Sequence, residues 1–486
     1  MNKKILLIAI VFFVIGLIVY FPGIQAPRYG DDFNIVPEGN LKEDLYKIWT
    51  TPYQREMFYR PLEDTITILI IHFFGWDTTP VHILILLFHA AFVSFAYYAM
   101  VKLKFSHNAA LFGSLYILIA QVNVFTAGSN DTLGTMLSSF FCLTALWFFY
   151  EAISDENGKV NSKPYIISMV LFIISLLSKE ASVTFFPFLL VLILYKNSFF
   201  NPVSFAKIKK SIIVSLPFVI IFIIYYIIHS AIVIIQPAMD SSNYGFRFGF
   251  NVPKNIGMML FSIFLPVSSV RTFEAVQLKD YKFLLAALFL TLIFSGIIFY
   301  GIWKSKRVKE ALLWFCFLIA GFFPMVLMNH VNEQYTYFSM PFAAILIAIG
   351  TGCFLDKTKG KSRTIFTAVF ILFLLLNTFF VMEKSRQMQE TGEKADMLFE
   401  QIGHYLPQIE PNGTLVLVNP PDKQIRYSVF RLPGFETMRY AQFYIYKLAG
   451  RQDFKIEIID WDDIEKWKKP HTLILKLEGN KVLRME

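Results

Sequence analysis

Charged residues are scarce in this chain: they make up 17% of its 486 residues, against roughly 25% in a typical soluble domain. Hydrophobic residues reach 55% and phenylalanine alone accounts for 53 positions, so the composition predicts a polytopic membrane protein. Cysteine is equally rare. Cys142, Cys316 and Cys353 all lie inside apolar runs and form no spaced pair. This excludes a disulfide framework and a cysteine metal site, and we interpret the three as small buried hydrophobic residues.

Apolar runs dominate the chain before residue 383. A membrane-crossing helix takes about 17–25 residues. Two runs, 65–74 and 255–269, are too short, and we predict that they are interfacial or re-entrant. The sequence therefore predicts a mainly α polytopic bundle of about eleven spans, near 5–21, 80–101, 108–124, 132–150, 164–178, 181–195, 211–235, 283–303, 310–328, 338–355 and 363–382.

Basic loops set the predicted orientation, because cytoplasmic loops are enriched in lysine and arginine. If the two short runs do not cross, these loops all fall on the side of Lys3 and Lys4; they contain Lys102, Lys104, Lys196, Lys207, Lys209, Lys210, Lys304, Lys306, Arg307, Lys309, Lys357 and Arg363. We predict a multi-pass protein of the cell membrane, and we favour a bacterial membrane. Its N-terminus is expected in the cytoplasm and its C-terminus outside. The first run is longer than a signal-peptide core and lacks an Ala-x-Ala site after it, so we expect a retained signal anchor.

The composition changes at about residue 383. The segment 383–486 carries 16 Lys/Arg and 16 Asp/Glu, so the whole net charge of +9 belongs to residues 1–382. Helical spacing over 384–405 extends the last membrane helix, and β-rich runs follow at 414–419, 454–459 and 472–477, with an amphipathic stretch at 436–449. We predict a transmembrane domain of residues 1–382 and a small extracytoplasmic α/β domain of residues 383–486.

The predicted topology brings five polar groups to the outer face: Asp31-Asp32, Arg60, Asn130-Asp131, Lys179-Glu180 and Asn332-Glu333. A loop carboxylate near lipid can take a proton from a hydroxyl nucleophile, and a neighbouring acid raises its pKa towards a useful value. The guanidinium of Arg60, in Tyr59-Arg60-Pro61-Leu62, can bind a phosphate through two hydrogen bonds. A solvated acidic loop and an interfacial arginine are the corresponding structural interpretations.

Three further features accompany these groups. Lys179-Glu180 interrupts an apolar stretch from Tyr165 to Tyr195, and ionisable residues there favour a functional site over a polar hairpin turn. His82 and His89 share one helix face, seven residues apart; such lone histidines are more often hydrogen-bonded interior residues than substrate ligands. A polar, aromatic stretch lies between two spans and adds three support residues, Asn332, Glu333 and Tyr335.

In this order, Asp-Asp, Tyr-Arg-Pro-Leu, His-x6-His, Leu-Ser-Lys-Glu and Glu-x-Tyr resemble the GT-C superfamily of integral membrane glycosyltransferases. The resemblance covers roughly residues 1–355 and is closest to the protein O-mannosyltransferases and to the transmembrane mannosyltransferases with tetratricopeptide repeats, which this chain lacks. It implies an inverting transfer of one sugar from a polyprenyl-phosphate donor to an extracytoplasmic acceptor. It also implies that Asp31 or Asp32 is the acceptor base, with Asp31 the first choice.

Two departures from the family pattern affect the implied site. Ile85 stands where the histidine face usually has asparagine, and Gln334 stands where the Glu-Arg-Tyr loop has a phosphate-binding arginine. The resemblance then implies that other cations stabilise the leaving phosphate of the donor: Arg60, Lys179, Arg247 and Arg271. A glycosyl phosphate has a good leaving group, so one base and one cation form a minimum set for transfer.

Other interpretations stay open on the sequence alone. A lipid or glycolipid transporter would place polar residues near mid-membrane, within matched halves, and a non-catalytic scaffold would leave the acidic pair unused. Asp31 and Asp32 could hold a divalent metal ion instead of acting as a base; no other cofactor is predicted. The expected partners are the polyprenyl-phosphate sugar, a protein or glycan acceptor outside the cell and the lipid bilayer, with no nucleic acid.

Overall fold

The computed structural model describes residues 3–54, 58–153, 160–196, 205–233, 245–357, 360–420 and 430–485. These residues are mainly helical. The α-helices are α1 (Lys3–Val19), α2 (Phe21–Ile24), α3 (Leu41–Thr50), α4 (Pro61–Phe74), α5 (Thr79–Lys102), α6 (His107–Ile119), α7 (Val124–Gly128), α8 (Leu133–Ala152), α9 (Ser162–Ser178), α10 (Phe185–Lys196), α11 (Phe205–Ile232), α12 (Asn251–Phe264), α13 (Ser269–Leu278), α14 (Tyr281–Ser305), α15 (Val308–Ala320), α16 (Met340–Lys357), α17 (Lys361–Gly403) and α18 (Gln442–Ala449).

Short 3-10 helices connect many of these elements and carry most of the polar groups discussed below. They are η1 (Gly30–Asn34), η2 (Gln121–Asn123), η3 (Asn130–Thr132), η4 (Glu180–Thr184), η5 (Met325–Leu327), η6 (Glu333–Ser339), η7 (Leu406–Gln408), η8 (Gly434–Met438) and η9 (Trp461–Trp467). The strands are β1 (Thr414–Val418), β2 (Lys455–Ile459), β3 (Thr472–Glu478) and β4 (Lys481–Arg484).

The mainly helical, membrane-type architecture predicted from the sequence is confirmed. Within the described residues, each of the eleven predicted runs falls mainly on helices. By length and composition, six of the described helices can each cross a membrane, or seven if the bent pair His107–Ile119 and Gln121–Gly128 forms one span. Other candidates are shorter, with 17 residues in α9 and 13 in α15. The count of eleven spans and the orientation therefore stay predictions.

The two short runs lie in α4 and α12, which have 14 residues each. At 1.5 Å per residue such a helix is about 21 Å long, less than the roughly 30 Å of a bilayer's hydrocarbon core. Their lengths agree with the prediction that neither run crosses.

Small residues bring the central helices close together. A Cβ on Gly301 would lie 2.2 Å from the carbonyl oxygen of Gly350, and one on Gly113 would lie 2.6 Å from that of Ala344. Helix α16 therefore contacts α14 and α6 backbone to backbone. Close packing of this kind is what associates helices in a bilayer, where the hydrophobic effect between them is absent.

Helix α17 continues from the membrane-type bundle into the C-terminal part of the chain. Its 43 residues span about 65 Å at the normal helical rise, which confirms the predicted extension over 384–405. The sheet has the order β2-β1-β3-β4, with β1 parallel to both neighbours and β3 antiparallel to β4. Three of its strands match the predicted runs, and β4 was missed.

The C-terminal part packs on η1, which follows α2. The Phe33 ring of η1 lies 5.0 Å from that of Phe399 on α17 and 5.4 Å from that of Tyr444 on α18. Leu432 lies close to Gly30, whose missing side chain makes room for it. The predicted boundary at residues 382/383 lies within α17, and the division into two domains remains a prediction.

Candidate active site

The acidic pair lies on η1 after a turn that needs glycine. Gly30 has φ = +56°, and a Cβ there would lie 2.8 Å from the side chain of Leu432. The Asp32 side chain is buried and accepts hydrogen bonds from four donors: the backbone N–H groups of Tyr29 (3.3 Å) and Asp131 (3.0 Å), the Asn130 amide (3.3 Å) and the Ser129 hydroxyl (3.5 Å). Asp32 thus fastens η1 to η3.

Burial has the largest effect on the pKa of Asp32. It raises the pKa of the carboxyl to about 7, although Arg28 and the two N–H donors favour the charged form; the negative charge of Asp131 raises it further. Because all four donors point at the carboxylate, deprotonation strengthens the contact between η1 and η3. The geometry makes Asp32 a positioning residue.

Asp31 differs from its neighbour in its surroundings. Its carboxylate forms an ion pair of 2.7 Å with Arg439, the residue that follows η8, and the two side chains are 29% and 31% exposed. Asp31 therefore lies where the first outer loop meets the C-terminal part of the chain, and a substrate can reach it. Nothing in the sequence indicated that Arg439 would be its partner.

Arg60 has carboxylate partners that the sequence did not predict. Its buried guanidinium donates to both carboxylate oxygens of Glu180, at 2.9 and 2.6 Å, and lies 3.6 Å from Glu63. A bidentate carboxylate uses two of the five N–H donors of a guanidinium. In this structure Arg60 holds α4 to η4, and its phosphate role stays a prediction.

Lys179 is a buried cation whose described hydrogen bonds go to neutral groups. Its ammonium donates to the Thr135 hydroxyl at 2.7 Å and approaches the Gln334 side-chain oxygen at 3.5 Å. Burial and then the nearby Arg60 lower the pKa of Lys179 to about 8. Gln334, the residue that departs from the family pattern, therefore binds the cation itself.

The charge of Asp131 acts on both Asp32 and Lys179. Its charge raises the pKa of Asp32 on one side and that of Lys179 on the other, and it also acts on Arg60. Asp131 is partly exposed, and its backbone N–H is held by Asp32. We define the outer-face cluster as Asp31, Asp32, Asp131, Lys179 and Arg60 with their partners.

Glu333 belongs to a second polar centre. It forms a 2.6 Å ion pair with Lys384 on α17, whose side chain is 1% exposed, and it accepts a hydrogen bond from Ser269. The Lys384 ammonium also donates to the backbone oxygen of Gln121, at 3.0 Å, and to its side-chain oxygen, at 2.6 Å. Lys384 thus fastens η2, α13 and η6 to α17.

Several predicted support residues have structural partners. The His82 ring bonds to the Ile24 carbonyl at 3.0 Å; that of His89 bonds to the Leu118 carbonyl at 3.1 Å and to the Tyr337 hydroxyl at 2.6 Å. Both are buried, which agrees with the structural interpretation of this face. The Tyr59 hydroxyl donates to the Trp49 carbonyl at 3.3 Å, Asn332 accepts from the Gln334 N–H at 3.2 Å, and Tyr335 bonds to His330 at 3.1 Å.

The two remaining predicted cations are exposed. The Arg271 side chain is 55% exposed and lies 3.8 Å from Glu383, next to Lys384 in the chain. Arg247 contacts η5 through its backbone, donating to the Leu327 carbonyl at 2.8 Å, and its side chain is exposed. The structure gives neither side chain a contact with the outer-face cluster.

A divalent metal ion at the acidic pair is the alternative to a base. Within the described ranges, no three His, Cys, Asp or Glu side chains come together as a cation site. The Asp32 oxygens accept four hydrogen bonds and Asp31 binds Arg439. These two carboxylates do not fit a divalent ion in this arrangement, and the chemistry below involves none.

Four residues of the site were missed as site residues by the sequence: Glu63, Asp131, Lys384 and Arg439. Asp131 had been placed on the outer face, and its signal was the Asn130-Asp131 pair. Glu63 follows Arg60 at i+3, a spacing that favours an ion pair on a helix. Lys384 and Arg439 gave no local signal, because their partners are distant in the chain. Glu333 lies 51 residues from Lys384, and Asp31 lies much farther from Arg439.

Comparisons with known proteins place the fold. No family model and no curated protein matches this chain. Among solved structures, the oligosaccharyltransferase of Archaeoglobus fulgidus in complex with Zn and sulfate is similar, with a TM-score of 0.50 and 12% identity over 91% of this chain. Its apo form gives the same score and identity over 93%. This chain spans 62% and 64% of those two chains.

ArnT from Cupriavidus metallidurans bound to undecaprenyl phosphate also aligns, over 96% of this chain and 92% of its own, with a TM-score of 0.48 and 14% identity. At such identities the likeness concerns the fold. The chain has the fold of GT-C membrane glycosyltransferases, as the ordered motifs predicted.

Proposed function

We propose that this protein is an inverting glycosyltransferase of the cell membrane. It moves a sugar from a polyprenyl-phosphate donor to an acceptor hydroxyl, on a protein or a cell-surface glycan, at the extracytoplasmic face. The observation that carries the proposal is the outer-face cluster, which contains an accessible carboxylate, Asp31, and a buried cation, Lys179, and in which the charge of Asp131 acts on both Asp32 and Lys179. The GT-C fold supports it.

The proposed base is Asp31. It takes the proton of the acceptor hydroxyl as the oxygen attacks the anomeric carbon, from the face opposite the phosphate. The bond between that carbon and the phosphate oxygen breaks, and its electron pair leaves with the polyprenyl phosphate. Arg439 holds the Asp31 carboxylate in place before the reaction through their ion pair of 2.7 Å.

Lys179 is the proposed stabiliser of the leaving phosphate. A buried ammonium stabilises developing negative charge strongly, because the low local dielectric weakens screening by water. Its contacts with Thr135 and Gln334 are neutral hydrogen bonds, which a phosphate oxygen can replace or join. The Arg60–Glu180 pair then acts on the reaction through Lys179, by fixing the turn that carries it.

The proposal includes an orientation: the N-terminus lies in the cytoplasm, and residues 383–486 form an extracytoplasmic domain next to the site. The basic loops support this orientation. The ion pair between Arg439 and Asp31 supports a working role for the C-terminal part, since it places that part at the proposed base.

A donor panel tests the function. Purified protein is incubated with polyprenyl phosphates that carry different sugars, together with a crude acceptor extract, and free polyprenyl phosphate is measured. Release with one donor that depends on the acceptor is the expected result, and NMR of the product should show the inverted anomer. Donor that crosses the vesicle membrane intact, with no release for any sugar, would instead favour the transporter.

A further inference from the structure

A groove follows the exposed edge of the C-terminal sheet and ends at the proposed base. It has a volume of about 420 Å³ and is lined by Asn34 and Gln54 from the segment between α2 and α4 and by Arg439, Ile456 and Ile458 from the C-terminal part. A second pocket continues it and shares Glu436 and Ile458. Arg439 binds Asp31, so one end of the groove meets the outer-face cluster.

Strand β2 is an edge strand with unused backbone groups. It pairs with β1 alone, in parallel. Lys455 donates its N–H to Gly413 at 2.9 Å, and the Ile459 carbonyl accepts from Asn419 at 2.9 Å, so the residues at 455, 457 and 459 face β1. By the two-residue period of a strand, the backbone groups of Ile456 and Ile458 face the open edge.

One contact confirms this alternation. The carbonyl of Phe454, which also faces outward, accepts a hydrogen bond of 3.0 Å from the Tyr446 hydroxyl on α18. Between this capped end and the end of β2, the N–H and C=O groups of Ile456 and Ile458 have no bonding partner among the residues that the structure describes. These are also the residues that line the groove.

Resting on the proposed function, we propose that the acceptor is a polypeptide that binds in an extended conformation, as an added strand on β2. An unpaired strand edge offers donors and acceptors at the spacing that another strand requires, and binding by strand addition is a recurrent mode of peptide recognition. The added strand runs along the groove and presents a hydroxyl side chain to Asp31.

The charge of the groove selects the peptide. The acidic residues that line the groove and the pocket next to it are Glu436, Asp460 and Asp463. The basic residues are Lys466, which is bonded to Asp463, and Arg439, which is paired with Asp31. The acidic groups outnumber the cations, so the preferred acceptor segment is basic and rich in residues that form strands.

Proline substitution provides the sharpest test. Ile458→Pro removes an N–H that faces the open edge, and the β1–β2 ladder keeps its own bonds, because proline is tolerated where a strand's N–H is not paired. Ile458→Val keeps the N–H and serves as the matched control. The full-length protein, in detergent, is titrated against a fluorescein-labelled peptide of alternating threonine and lysine, twelve residues long, and binding is followed by anisotropy.

The expected result is a Kd that rises at least about tenfold in Ile458→Pro and stays near that of the unaltered protein in Ile458→Val, since both a backbone bond and room for the strand are lost. Thermal unfolding of both variants checks the fold. If Ile458→Pro does not fold, Asp463→Lys, on the exposed rim, should weaken binding of the lysine peptide and improve binding of a threonine–glutamate peptide.

Each outcome is decisive. Equal binding to Ile458→Pro, or no peptide binding to a protein that transfers sugar to a glycan, overturns the proposed acceptor and leaves the transferase standing. Peptide binding that is lost in Ile458→Pro, in a protein that releases no polyprenyl phosphate from any donor, overturns the transferase and leaves the peptide groove standing.

Discussion

Replacing Lys179 should remove most of the activity without unfolding the protein. Lys179→Met keeps the length of the side chain and its packing but takes away the buried charge near the leaving phosphate. Removal of one group that stabilises developing charge in an enclosed site lowers kcat by about 10²–10³-fold, or about 2.7–4 kcal/mol. We expect a loss of this size in transfer from the polyprenyl-phosphate donor, with little change in the acceptor's KM.

The pH dependence separates this role from simple packing. Burial and Arg60 lower the pKa of Lys179 to about 8. The lysine is charged below that pH, so the rate should fall by about tenfold per pH unit well above 8. Lys179→Arg carries a charge that is not lost in this range, and whatever activity it keeps should lack the alkaline fall.

The assay is the initial rate of polyprenyl phosphate release, measured from pH 6 to 10 with each variant. Lys209→Met, a change to an exposed lysine of α11, is the control for general effects of removing a positive charge. An alkaline fall that persists unchanged in Lys179→Arg would refute the assignment. So would a Lys179→Met protein that keeps more than a tenth of the normal rate.

Three other changes test the structure. Lys384→Met leaves Glu333 without its cation and should lower the free energy of unfolding by about 3–5 kcal/mol in a denaturant titration; a loss below about 1 kcal/mol would contradict the buried pair. Gly392→Ala would put a Cβ 2.4 Å from the Pro27 carbonyl and should cost about 1–3 kcal/mol, whereas Gly403→Ala meets nothing within 4 Å and should be neutral, by the same titration. A cysteine in place of the exposed Lys481 should react with an impermeant maleimide on intact cells; protection there would reverse the orientation.

Periodicity and composition were enough to predict most of the fold. The apolar runs became helices, and three β-rich runs became β1, β2 and β3, because burial of one face or of a whole helix shows directly in the sequence. Strand β4 was missed: it has only four residues, of which Lys481 and Arg484 are charged. The span count was not settled, because helices such as α9 and α15 fall near or below the length that crosses a bilayer.

The site was predicted in part. The ordered motifs brought Asp31, Asp32, Lys179 and Glu180 to one face, and the structure places them together with Asp131. What each carboxylate and cation binds could not be read from the sequence, because a pair such as Arg60 and Glu180 is separated by 120 residues. The sequence alone therefore assigned Arg60 to a phosphate, whereas the structure pairs it with Glu180.

The two histidines show why a motif alone did not settle a role. Their spacing correctly placed them on one helix face, but the groups opposite that face come from α2, α6 and η6. Only the packing of these elements reveals that two carbonyl oxygens and the Tyr337 hydroxyl bind the ring nitrogens.

The most direct test of the account is the rate of sugar transfer by Asp31→Asn. Once the donor is known, labelled sugar is followed from polyprenyl phosphate to acceptor under single-turnover conditions, and donor binding is measured in parallel. Arg439→Gln is the matched control, because it breaks the same ion pair but keeps the carboxylate. The account predicts that Asp31→Asn loses about 10²–10⁴-fold in rate while donor still binds, and that Arg439→Gln loses far less. Transfer by Asp31→Asn at the normal rate would contradict it.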